Sequence, residues 1–298
     1  MTFNEGMQID TSTTSTSGGG RGPGRGIAIG GGVGGLLVMV VALLLGVDPS
    51  SVMPPQQGQL GGPGAEAPGF DLSQCRTGAD ANEIPECRVV ATGNSLDGIW
   101  PQLLPDYTRP QVRLFKGSVD TGCGAATSDV GPFYCPADQT AYFDVDFFDV
   151  LRTQFGSSGG PLAQEYVVAH EFGHHIQNLT GTLSQSQGPG AAGPTGGGVR
   201  TELQADCYAG VWAHYAAITK QESTGVPFLE PLTDKDIADA LSAAASVGDD
   251  RIQEKATGRV NPEAWTHGSA AQRQKWFTEG YRTGDVNACD TFATNNLG

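Results

Sequence analysis

Basic residues are scarce: 17 Lys and Arg stand against 32 Asp and Glu, a formal charge of −15. A surface of that sign repels a phosphate backbone, which argues against nucleic acid as a partner. Closely spaced cysteine pairs are missing as well. The six cysteines, at 75, 87, 123, 135, 207 and 289, include no CxxC, so a cysteine zinc ribbon is disfavoured. No internal repeat is present, which sets stacked-repeat architectures aside. Long apolar runs are absent except for one stretch near the N-terminus. The length, 298 residues, suffices for one large domain or two ordinary ones with a buried core.

That single apolar run, residues 27–47, carries no charge across its 21 positions. It is about the ~20 residues that a helix needs to cross a bilayer. Arg21 and Arg25 precede it and Asp48 follows, which predicts a single-pass cell-membrane protein with a cytoplasmic N-terminus and an extracytoplasmic main domain. The competing reading is a cleaved signal peptide, but no small-x-small site follows the run. Gly30, Gly32 and Gly35 match a dinucleotide fingerprint, yet no strand is expected before them and the following run is too hydrophobic for a surface helix. Gly30-xxx-Gly34 and Gly31-xxx-Gly35 match a transmembrane packing pattern, although plain glycine richness is the better account of them. The expected layout is a disordered tail over 1–26, an anchor over 27–47, a flexible Pro- and Gly-rich linker over 48–69 and a body over 70–298.

Within the body, Phe133-Tyr134-Cys135 and Thr140 to Asp144 flank a Pro136-Ala137-Asp138 turn and read as a hairpin. Helices are expected over 147–155, 162–179 (between Pro161 and Gly181) and 199–219. Two more follow, one capped by Thr233 and reaching about Val247, the other opened by a Ser269–Gln272 capping box and ending near Gly284. The fold class expected is α+β, mainly helical after residue 146 with a small strand region before it. Cys75 and Cys87, like Cys123 and Cys135, could close short loops and leave Cys207 for Cys289; six cysteines permit fifteen pairings. Disulfides would place the body outside the cytosol.

Residues 170–175 read His-Glu-Phe-Gly-His-His. On a helix, His170 and His174 lie one turn apart on one face, a spacing that lets two imidazoles bind one Zn²⁺. Glu171 then stands beside the first ligand, placed to act as general base without ligating. Val168, Phe172, Ile176 and Leu179 form an apolar stripe roughly opposite. Catalytic zinc commonly keeps three protein ligands and one open position. No third His follows at short spacing, but residues 202–206 read Glu-Leu-Gln-Ala-Asp on the next expected helix. Two solvated acids are the ordinary reading of such a pair. Following HExxH by one helix, they read instead as a ligand, Glu202, and an acceptor for a ligating histidine's free N–H, Asp206.

The stretches HEFGHHIQ, ELQADCYAGVW, GPFYCPADQ and HGSAAQRxxWFxxGY, with the Gly-rich N-terminal run ending in GVDP, together resemble the bacterial putative neutral zinc metallopeptidase family. The resemblance extends over nearly the whole chain. It implies a zincin-like body with one Zn²⁺ per chain and a gluzincin type of site, in which His170, His174 and Glu202 are ligands, Glu171 the base and Asp206 the supporting acceptor. It implies a metallopeptidase acting on peptide or protein substrates. His267, just before the last helix, is the candidate oxyanion donor, a capping or surface role being the alternative. His175 and His214 read as structural or packing residues. Residues 140–144 are a candidate edge strand for an extended peptide. Two other activities remain open at this point: a scaffold whose zinc is structural, and a zinc amidase acting on cell-wall material.

Overall fold

A computed structural model describes residues 2–18, 69–186 and 190–298 of the chain. The strands among them are β1 (Thr14–Gly18), β2 (Gln111–Lys116), β3 (Ser118–Thr121), β4 (Gly124–Thr127), β5 (Phe133–Cys135) and β6 (Thr140–Phe143). A four-stranded sheet runs in the order β1-β2-β6-β5, with β2 parallel to both β1 and β6 and β5 antiparallel to β6. A separate hairpin pairs β3 with β4. All four residues of β6 are buried, as suits a strand with a neighbour on each side.

The helices are α1 (Gly78–Glu83), α2 (Pro85–Leu103), α3 (Phe147–Thr153), α4 (Pro161–Thr180), α5 (Gly197–Ala216), α6 (Asp234–Ser246), α7 (Asp249–Thr257) and α8 (Ala270–Thr283). Pro161 opens α4 at its first position, where no N–H is needed, and Gly181 closes it in the left-handed conformation. Thr233 and Ser269 cap α6 and α8 through reciprocal capping boxes. α4 packs against α2, α5 and α6, and α5 packs against α4 and α8. Trp100 on α2, Phe172 on α4, Trp212 on α5 and Phe277 on α8 are all within one continuous apolar core.

Glycines set how closely these helices meet. A Cβ at Gly173 on α4 would lie 2.9 Å from the Cα of Ala205 on α5. At the next interface, a Cβ at Gly210 would meet the Phe277 carbonyl oxygen at 2.1 Å, and one at Gly280 the Cys207 carbonyl oxygen at 2.0 Å. Backbones this close leave no room for any side chain, so α5 sits tightly between α4 and α8. The disulfides are Cys75–Cys87, Cys123–Cys135 and Cys207–Cys289, the last tying α5 to the C-terminal segment.

Three expectations are corrected. Residues 2–18, expected within a disordered tail, are part of the folded body: Phe3 and Met7 are buried in the core, and β1 shares five register pairs with β2. Residues 27–47, the expected anchor, and residues 48–68 of the expected linker lie outside the described residues. Among the described residues, no helix is long and apolar enough to cross a membrane. A single crossing between residues 18 and 69 would put β1 and β2 on opposite faces of a bilayer, where they could not pair. The single-pass arrangement, with its cytoplasmic N-terminus and extracytoplasmic body, is therefore not supported. Finally, β6 is an interior strand flanked by β2 and β5, so its backbone has no free edge to offer a peptide.

Candidate metal centre

The middle of α4 carries His170, Glu171 and His174, and the facing turn of α5 carries Glu202. One ligand atom from each of His170, His174 and Glu202 lies within 4.8 Å of the others. His170 Nε2 is 3.1 Å from Glu202 Oε2, and His174 Nε2 is 3.5 Å from Glu202 Oε1. All three side chains are buried, at 7–8% exposure. The close approach of α4 and α5 falls between His170 and His174 on α4, at Gly173, and three residues after Glu202 on α5, at Ala205, which brings Glu202 within reach of the histidines.

The nitrogens turned away from the cluster are also engaged. His170 Nδ1 donates to Asp206 Oδ1 at 2.9 Å, and His174 Nδ1 donates to Gln177 Oε1 at 2.9 Å. Nδ1 is thus the nitrogen that keeps its proton, and Nε2 is the one each ring would offer to a cation. Two imidazole nitrogens and a carboxylate, with outer atoms satisfied by other residues, make a donor set suited to a divalent ion such as Zn²⁺.

Asp206 is fully buried and held from three directions. Arg273 on α8 donates Nε to Oδ2 at 2.7 Å and Nη2 to Oδ1 at 2.8 Å, and the Tyr166 hydroxyl donates to Oδ1. Burial alone would raise the Asp206 carboxyl, but the Arg273 charge and the His170 hydrogen bond outweigh it and hold it below its ordinary value. Burial would likewise raise Glu202, yet His174 and the hydrogen bond from His170 hold it well below. For His170, the penalty of burying a charged ring is exceeded by its bonds to Asp206 and Glu202, and its pKa rises to about 9. A proton therefore competes with a cation for this ring.

Glu171 is buried on the same helix. Desolvation raises its pKa, partly offset by the nearby His174 and His170. His267, buried before α8, donates Nδ1 to Asp249 Oδ1 at 3.1 Å. Asp249 Oδ2 accepts the backbone N–H groups of Thr266, His267 and Gly268. Burial would depress the His267 ring, but the Asp249 hydrogen bond and the negative charge of Glu202 raise it, favouring the doubly protonated form.

The remaining histidines fall away from the cluster. His175 donates Nε2 to the Thr108 carbonyl at 2.6 Å and meets the Tyr134 hydroxyl through Nδ1 at 2.9 Å. His214 donates Nδ1 to the Tyr281 carbonyl at 2.8 Å. Sequence reading passed over Tyr166, Gln177, Asp249 and Arg273. Tyr166 and Gln177 had a local signal, since they stand four before His170 and three after His174. Asp249 and Arg273 reach the site from distant elements, and Arg273 was visible only within the HGSAAQR stretch.

Residues 3–292 match the model of the family described as "Putative neutral zinc metallopeptidase". The chain is 72% identical to "Uncharacterized protein Rv2575" of Mycobacterium tuberculosis and to "Uncharacterized protein Mb2605" of Mycobacterium bovis, over the full length of each. It is 36% identical to "Uncharacterized protein YpfJ" of Escherichia coli, over 88% of this chain and 87% of that one. No solved structure matches it.

Proposed function

This chain belongs to the family described as "Putative neutral zinc metallopeptidase", and from that premise we propose that it hydrolyses peptide bonds with one Zn²⁺ held by His170, His174 and Glu202. The observation that carries the reading is the convergence of these three buried donors to within 4.8 Å, with both Nδ1 atoms already engaged. Zinc bound there would acidify a water molecule and polarise the scissile carbonyl.

The chain's own residues supply the rest. Glu171 takes a proton from the attacking water and delivers it to the leaving amine. Its burial raises its basicity, so the carboxylate accepts that proton more readily than an exposed one would. His267 donates from Nε2 to the carbonyl oxygen as negative charge develops on it, while Asp249 holds the ring through Nδ1. Asp206 fixes His170, and Arg273 keeps Asp206 ionised so that it remains an acceptor.

The test separates metal from chemistry. Zinc content is expected near one per chain and is expected to be lost in Glu202→Ala. Glu171→Gln should retain the metal while hydrolysis of a general protein substrate falls by roughly 10²–10⁴-fold. Hydrolysis that survives Glu171→Gln refutes the assignment of the base.

A further inference from the structure

His174 is supported differently from His170: it stands at the head of a chain of amides. Its Nδ1 meets Gln177 Oε1 at 2.9 Å. Gln177 Nε2 donates to the Thr201 carbonyl at 2.7 Å and to Gln204 Oε1 at 3.0 Å. Gln204 Nε2 donates in turn to the Cys289 carbonyl at 3.1 Å. Gln177 is 0% exposed and Gln204 3%, and Cys289 is disulfide-bonded to Cys207 on the helix that carries Gln204.

The direction of this chain is fixed by its far end. A backbone carbonyl can only accept, so Gln204 must turn its NH₂ to Cys289 and its oxygen to Gln177. Gln177 must then turn its NH₂ toward Gln204 and Thr201, leaving its own oxygen for His174. An oxygen at that point requires a proton on Nδ1, which leaves the Nε2 lone pair facing Glu202. A leucine in place of either glutamine would fill a similar volume without any buried polar atom to satisfy, so two glutamines here call for a reason beyond packing.

We infer that Gln177 and Gln204 are positioning residues that fix the tautomer and aim of His174, and that two carbonyls set the direction of the chain: that of Thr201, which accepts from Gln177, and that of Cys289, tied to α5 by the Cys207–Cys289 disulfide. The inference rests on the zinc reading of the site, but its test does not depend on activity. Zinc affinity measured by chelator competition is expected to fall roughly 10–100-fold in Gln177→Leu. It should fall by a smaller factor in Gln204→Leu, because the Thr201 carbonyl still orients Gln177.

In ¹⁵N-histidine spectra of the zinc-loaded wild type, Nδ1 of His174 is expected to carry a slowly exchanging proton, and that exchange should accelerate in both Leu variants. Because the wild-type spectrum and Gln204→Leu stand alone, a Gln177→Leu chain that fails to fold leaves the test intact. Thr92→Val removes a buried hydroxyl elsewhere, on α2, and is expected to leave zinc affinity unchanged. The relay is overturned if zinc binds through Nδ1 of His174, if the Leu variants bind zinc as the wild type does, or if Thr92→Val weakens binding equally. A wild-type chain that takes up no zinc overturns the metallopeptidase reading, and the relay with it.

Discussion

Glu165 lies on α4 five residues before the first proposed ligand and is fully buried. The Thr2 hydroxyl donates to its Oε1, while its Oε2 has no partner. Burial raises its pKa from 4.5 to about 7, with Thr2 and Arg88 offsetting part of the cost. The folded chain therefore holds this proton more tightly than the unfolded chain does. The resulting stabilisation is complete below about pH 4.5 and is lost as the pH rises through about 7. Glu165→Gln removes the titration, so thermal unfolding should show the variant gaining on the wild type between pH 5 and 8, by on the order of 3 kcal/mol. Residues of this kind show how unevenly a sequence exposes its chemistry. His170, Glu171 and His174 are legible because one helical turn links them. Glu165, Asp249 and Arg273 take their meaning from partners on other elements, which no local spacing reveals.

Among the elements, the approach of α4 to α5 is the dimension on which the metal centre turns. Gly173→Ala places a methyl group against the Ala205 backbone at 2.9–3.0 Å, so the helices must part or shift. We expect a destabilisation of about 1–3 kcal/mol in denaturant unfolding, together with weaker zinc retention under chelator challenge. A stability loss with unchanged zinc affinity would show that Glu202 follows the displaced helix. The helix boundaries were largely readable, since Thr233, Ser269, Gly181 and Gly284 announce caps and stops. α2 was not. Its residues 87–93 are buried on every side, so it lacks the polar face that would have marked a helical period. The interior place of β6 was equally hidden, because only β5 adjoins it in the chain, while its other neighbour, β2, lies well upstream. The fold forms the two short cysteine loops that spacing suggested, and with them the remaining pair, Cys207–Cys289.

Over the whole molecule, the N-terminal segment is structural. Phe3 is 1% exposed within the core, and its backbone bridges to Leu229. Phe3→Ala should cost about 3–5 kcal/mol of stability, read as a lowered unfolding midpoint. An effect within error of zero would mean that residues 2–18 pack only loosely. Reading residues 1–26 by composition alone missed this, because a Ser- and Thr-rich stretch can still pair as a strand once a partner edge is available. The pairing also has a consequence for biosynthesis. β1 leaves the ribosome early, but β2, the strand it pairs with, follows roughly a hundred residues later. Until then the nascent N-terminus must wait unpaired, and the sheet can close only after much of the chain has been translated.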